Sequence, residues 1–489
     1  MTCMWMRTLT TLAAALCLTP ALWAAPPWSP AAPEVSQALQ QGHLPAEALG
    51  LWIQNLEHPE LGTSWQAQRP LNPASLTKLA TSLAALDQLG PQWTWHTPVW
   101  LRGRIDRDSG LLDGDLVIQG RGDPKLVLER LWLLLRQVQT LGVRDIHGRI
   151  VLDRSRFALP PRSPSDFDGE GWHPGNVQAD ALLLNYKTQI YRFTPSPQGV
   201  ARISAELPLA MEQTSVPLKP GSCQDWRAQL QLQWVEGQTL RFAGSYPASC
   251  GELRWPLADP DPASFNARLL AGLWQAMGGR LSDGVVEGPA PDAPPSFEFE
   301  SPPLAEVLRD INKYSNNLMA EQLLLSASAP ADGSASTPEQ ALAWLSNWLK
   351  PRLRDGPGAQ DFVLDNGSGL SRQTRLSAAQ LGQLLHWAWQ QPFMPEFVAS
   401  LPIAGLDGTL SRAEHQFGPG RGRAHLKTGS LRDVNAVAGY VQGGSGQHWA
   451  MVAILNDANA AQGRPVLDAL VRWVARDLQP ETKAAAKRP

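Results

Sequence analysis

The chain has 489 residues and a formal net charge of −3, a length that suggests two to three domains. With 43% apolar residues it has material for a sizeable core, and it has no basic stripe or block of like charge to hold nucleic acid. Its 42 prolines and 41 glycines point to many turns and a β-rich portion, while the 20 tryptophans are scattered and read as packing residues.

Residues 1–25 read as a secretory signal: Arg7, the apolar stretch "LTTLAAALCLTPALW", then Ala24 or Ala25 as the small residue for cleavage. Pro20 interrupts the apolar run, which is too short for a bilayer-spanning helix, and bulky Leu16 argues against a lipid anchor at Cys17. The expectation is an exported, periplasmic protein with at most weak peripheral membrane association, because Lys483, Lys487 and Arg488 are too few for stable anchoring. Cys223 and Cys250 are then the only mature cysteines, and in an oxidising compartment two lone cysteines form a disulfide. Neither has a histidine or second cysteine near it, so no metal site is expected.

"EALGLWIQNL" and "GTSWQAQR" predict two short strands, followed by a helix that begins at Ser75 and stops at Gly90-Pro91. Residues 92–262 then alternate in short stretches such as "GDLVIQG" and "AQLQLQWVEG", with one clear helix in "KLVLERLWLLLRQVQTLG". From 263 helical periods return in "SFNARLLAGLWQAMGG", "PLAEVLRDINK" and "NNLMAEQLLLSA". Thr337 with Gln340 and Ser377 with Gln380 mark two capping boxes. "AVAGYVQ" and "HWAMVAILN" predict adjacent strands, closed by the helix "PVLDALVRWVARDL". The division is therefore a signal at 1–25, a catalytic-type domain in two parts at 26–91 and 263–478, a β-rich insertion at 92–262, and a disordered tail at 479–489.

Three short patterns stand in order: Ser75-Leu-Thr-Lys78, Ser315-Asn-Asn317 and Lys427-Thr-Gly429. Singly each is as readily a helix cap, a link or a turn, and Ser264-Phe-Asn266 matches the second by chance. Together they supply what serine acyl transfer needs. Residues i and i+3 of a helix share a face, which sets the Lys78 amine beside the Ser75 hydroxyl as its base. A lysine acts so only when neutral, through desolvation or a neighbouring positive charge such as Lys427. Ser315 can relay a proton, and Asn317 can hold Lys78 and a substrate carbonyl. Lys427 and Thr428 can hold a substrate carboxylate. Gly429 lets the strand come close, so that the Ser430 N–H pairs with the Ser75 N–H as an oxyanion hole.

The ordered set resembles the penicillin-recognising SxxK acyltransferases. More narrowly, "NPASLTK", "KYSNNLMAEQLL", "LDNGSGLSR", "LPIAGLDGTL", "LKTGSLRDVNAVAGYV" and "GRGDPKL" resemble the class C low-molecular-mass penicillin-binding proteins, the D-alanyl-D-alanine carboxypeptidase/endopeptidase branch. Ser430 stands where that family often has threonine, which keeps the hydroxyl and the N–H. The resemblance spans essentially the whole mature chain. It implies an α/β catalytic domain, an antiparallel sheet flanked by helices, with two small β-rich domains inserted and no metal or organic cofactor. The implied substrates are peptidoglycan peptides ending in D-Ala-D-Ala, and their cross-links, with β-lactams as covalent inhibitors of Ser75. Two rival readings are a β-lactamase sharing the three motifs and a non-catalytic wall-binding protein. Ser368 in "DNGSGLSR" lacks the glycine two residues before it that a nucleophile elbow needs and reads as a structural turn; His425 reads as a strand residue.

Overall fold

A computed structural model of the chain describes residues 32–209, 214–235, 239–353, 361–411 and 415–480. The signal expected at 1–25 lies outside these residues, as does the tail from 481 onward.

Five antiparallel strands form the central sheet, in the order Ala424–Leu431, Val434–Gln442, His448–Asn456, Leu49–Asn55, Gly62–Trp65. Both of its faces are covered, which is why the two strands in the middle of this order read as almost unbroken apolar runs. The side-chain period of two sends Ala450, Val452 and Ile454 to one face and Met451, Ala453 and Leu455 to the other. The second set packs under the terminal helices Pro33–Gln41 and Arg464–Val474. The first packs against Ala378–Trp389, and the same core continues outward through Thr77–Leu89, Leu304–Lys313, Asn317–Ala327 and Pro338–Leu349. Both capping boxes are present, with Thr337 and Ser377 accepting from the backbone of Gln340 and Gln380.

Between the first two and the last three strands of this sheet the chain builds two further bodies. A seven-stranded mixed sheet contains His96–Asp106, Leu111–Gln119, Ile150–Asp153 and Phe297–Glu300. The helices Leu128–Thr140 and Phe265–Ala276 bury Leu131, Leu135, Leu269 and Trp274 against it. The sequence returns the chain to the catalytic part at 263, whereas these pairings keep it in the insertion through Glu300. Periodicity identifies Phe265–Ala276 as a helix but carries no sign of which sheet its apolar face will cover. The other body is all β, a five-stranded sheet and a two-stranded ribbon around Tyr191, Phe193, Trp226, Phe242 and Tyr246. Cys223 and Cys250 are joined there by a disulfide, with Cα atoms 5.1 Å apart.

The insertion is docked onto the helix Asn317–Ala327. Gln322, fully buried, accepts from Asp180 N at 2.9 Å and donates to the carbonyls of Gly122 at 3.1 Å and Asp180 at 2.9 Å. Lys125 adds an ion pair to Asp310 at 2.8 Å.

Candidate active site

The stretch before Ser75 is fixed by Asn72. Its Oδ1 accepts from Ala74 N at 2.9 Å, its Nδ2 donates to Ser371 O at 2.9 Å, and its N–H meets Asn456 Oδ1 at 2.7 Å. Ala74 is thereby held in the left-handed region at φ 47°, and Ser75 lies in a single 3-10 turn, Ala74–Leu76. The α-helix starts only at Thr77, and Ser75 does not cap it with its side chain. This corrects the expected helix start and frees the Ser75 hydroxyl for another partner.

That partner is Lys78. Its Nζ donates to Ser75 Oγ at 2.9 Å, Asn317 Oδ1 at 2.7 Å and the Ser368 carbonyl at 2.5 Å. All three of its N–H directions are therefore taken. The side chain is fully buried, and burial lowers its pKa to about 7, against the opposing pull of the Glu321 carboxylate. Lys427 is equally buried; its Nζ donates to Ser315 Oγ at 2.8 Å and to the Thr428 carbonyl at 2.7 Å. Burial, and then the charge of Lys78, holds Lys427 well below the usual lysine range. The sequence assigns the depression of Lys78 to Lys427 or to desolvation; desolvation is what lowers it.

Ser315 joins the helices Leu304–Lys313 and Asn317–Ala327 with φ 56°, a left-handed conformation that costs a non-glycine residue roughly 1–3 kcal/mol. Asn316 caps the second helix through Met319 N at 3.0 Å, so Asn317 is its first residue and faces Lys78. On the edge strand, Thr428 Oγ1 lies 2.8 Å from Thr409 Oγ1. Gly429 has a clear reason to be glycine: a Cβ there would stand 2.6 Å from Pro73 O and 3.3 Å from Ser75 N. The strand thus passes directly over the backbone of Ser75, and Ser430 follows it at the exposed lip. Ser75, Ser315, Asn317, Thr428 and Ser430 open into one cleft of about 610 Å3.

Several residues here escaped the sequence reading. Ser368, taken as a turn, gives its carbonyl to Lys78 while its Oγ donates to Glu321 at 3.2 Å. Glu321 follows Asn317 by one helical turn, the i, i+4 spacing that could have flagged it. Phe167, Asp168 and His173 of the insertion line the same cleft, and nothing in their local sequence signals that. His425 rests its Nδ1 3.3 Å from the Val398 carbonyl, away from Ser75. Among the described residues no group of three or more His, Cys, Asp or Glu side chains is arranged to hold a metal ion.

A helical layer against an antiparallel sheet, with a buried lysine on a serine and a Lys-Thr-Gly edge strand across it, defines the SxxK serine acyltransferases. The chain belongs to the D-Ala-D-Ala carboxypeptidase 3 (S13) family, whose model matches residues 31–477, and is thus a serine-type carboxypeptidase. It is 28% identical over 402 residues to a D-alanyl-D-alanine carboxypeptidase of Actinomadura sp. (strain R39), covering 77% of this chain and 72% of that one. It is 23% identical over 441 residues to the D-alanyl-D-alanine carboxypeptidase DacB of Haemophilus influenzae, covering 86% and 87%. The crystal structure of penicillin binding protein 4 (dacB) from Haemophilus influenzae matches its fold with a TM-score of 0.73 at 22% identity, over 91% of this chain and 99% of that chain.

Proposed function

We propose that Ser75 is the nucleophile and Lys78 its general base in hydrolysis of the terminal D-Ala-D-Ala bond of peptidoglycan stem peptides. The single observation that carries the assignment is Lys78 Nζ, fully buried, 2.9 Å from Ser75 Oγ and held by two further acceptors. Neutral Lys78 takes the Ser75 proton as Oγ bonds to the carbonyl carbon. The N–H groups of Ser75 and Ser430 receive the oxyanion. Ser315, held by Lys427, shuttles that proton from Lys78 to the leaving amine as the peptide C–N bond breaks. Asn317 orients the acyl side, and Thr428 and Lys427 the terminal carboxylate. Water then hydrolyses the acyl-enzyme.

The same chemistry cuts cross-links, where the leaving amine belongs to another stem peptide, so the enzyme acts as a D,D-endopeptidase as well. β-Lactams acylate Ser75 in place of the peptide. The substrate lies in the cell wall, and the protein works there as an exported, periplasmic enzyme; no described helix is long and apolar enough to cross a membrane. Fluorescent penicillin should label the wild type covalently and leave Ser75→Ala dark; equal labelling of both overturns the assignment.

A further inference from the structure

Behind Lys78 lies a second cavity of about 390 Å3, walled by insertion residues including Leu159, Arg162 and Phe167 and by the helices Asn317–Ala327 and Pro338–Leu349. Glu321 sits on its inner wall. Its Oε1 lies 3.2 Å from Ser368 Oγ, whose one proton it shares with Asn366 Oδ1 at 3.0 Å, and its Oε2 lies 3.5 Å from an Arg162 guanidinium nitrogen. Ser368 is fully buried and is the residue whose carbonyl receives Lys78 Nζ at 2.5 Å. A continuous chain of contacts therefore runs from the insertion to the base: Arg162, Glu321, Ser368, Lys78.

We propose that Glu321 is a positioning residue for the general base: it supports Ser368 against Lys78, and Arg162, reaching in from the inserted region, is its counter-ion. This rests on the reading of Lys78 as the base.

Two independent features support it. The insertion is anchored at this point of the helix, because the next residue, Gln322, makes three buried hydrogen bonds to Asp180 and Gly122. Arg162 thus belongs to a built interface. The chemistry also requires a counter-ion: the Glu321 side chain is only 13% exposed, and a buried carboxylate without a cation takes up a proton. Burial pushes the Glu321 carboxyl up and sets the net direction, and Arg162 is the first of the groups that pull against it. The charged groups facing Lys78 are Glu321 from its helix and Lys427 from the edge strand. Asp166 and Asp365 line the cavity that Glu321 and Arg162 share. The other partners of Lys78, the Ser75 hydroxyl, the Asn317 amide and the Ser368 carbonyl, do not titrate in this range.

The test is the pH dependence of Ser75 acylation by penicillin in the full chain. Glu321→Gln removes a negative charge from beside Lys78, so the acid limb should move to lower pH, by on the order of one pH unit. Arg162→Met should move it the same way, as Glu321 takes up a proton, and Arg162→Lys should restore it. The double variant Glu321→Gln/Arg162→Met should match Glu321→Gln alone. A rate that falls by one factor at every pH, with the limb unmoved, means a structural role and overturns the proposal. An unmoved limb in Arg162→Met also overturns it, and that variant, at the cavity's partly exposed rim, serves where Glu321→Gln fails to fold. Failure of the base reading itself shows elsewhere, as acylation that survives in Ser75→Ala or has no acid limb in the wild type.

Discussion

Lys78 and Lys427 are both fully buried, each with its ammonium on a serine hydroxyl, and the charge of one disfavours the charge of the other. Burial brings Lys78 to about 7, next to the working pH, where a base both exists in its free form and retains proton affinity.

Lys78 takes the Ser75 proton as the free amine, which dominates above about 7 and is lost as pH falls through that value. The second-order rate of Ser75 acylation by penicillin should rise through a midpoint near neutrality and level off above it. Lys78→Met should lower that rate by about 10²–10⁴-fold, the usual worth of a general base. A profile flat from roughly pH 5 to 9 would assign the base to another group.

Gly429 gives a geometric test of the oxyanion site. In Gly429→Ala the new Cβ would lie 2.6 Å from Pro73 O, closer than real Cβ contacts come, so the strand must move off the Ser75 backbone. The two N–H groups then spread, and a displacement near 1 Å costs on the order of 10²-fold in rate. kcat/KM on a D-Ala-D-Ala peptide should fall by about that factor while the melting temperature barely changes, since the edge strand keeps its pairing with Val434–Gln442. Unchanged kcat/KM would remove the Ser75–Ser430 pair from the mechanism.

What the sequence made legible here is what it encodes locally. Helix ends were written in the Thr337 and Ser377 capping boxes, and the last two strands in their apolar runs. Ser75 and Lys78 could be read as a pair because i, i+3 spacing brings them together before any tertiary contact forms. Ser315 and Lys427 were legible only through the order of the motifs. Arg162, Glu321 and Ser368 meet across three distant segments, and no local pattern announces such a meeting. The 3-10 turn at Ser75 is likewise set from outside, by Asn72 with Ser371 and Asn456. The helix Phe265–Ala276 was visible as a helix and misassigned as to sheet, because an apolar face does not name its partner.

The last relationship concerns how Ser315 is held in its left-handed conformation. Lys313, two residues earlier, is nearly buried and donates to Asp407 Oδ2 at 2.6 Å and to the Leu401 carbonyl at 2.9 Å. Gly408 packs against the Lys313 carbonyl so closely, at φ 55°, that a Cβ would stand 2.5 Å from it. The 401–410 loop therefore clamps the end of the helix that leads into Ser315. Asp407→Ala leaves the Lys313 ammonium without its carboxylate. The cost should be about 2 kcal/mol, below the figure for a wholly buried pair because Asp407 is partly wet. Burial alone would raise the Asp407 carboxyl, but the Ile403 N–H at 2.7 Å and Lys313 outweigh it and the net shift is downward. Its stabilisation is thus present above the ordinary carboxylate range and is lost as pH falls through the lowered value. Denaturant unfolding should separate wild type and Asp407→Ala at neutral pH and bring them together in acid. Acylation of Ser75 should drop further than the stability loss accounts for, because Ser315 loses its support. An equal stability gap at both pH values would show that the ion pair is not what holds the clamp.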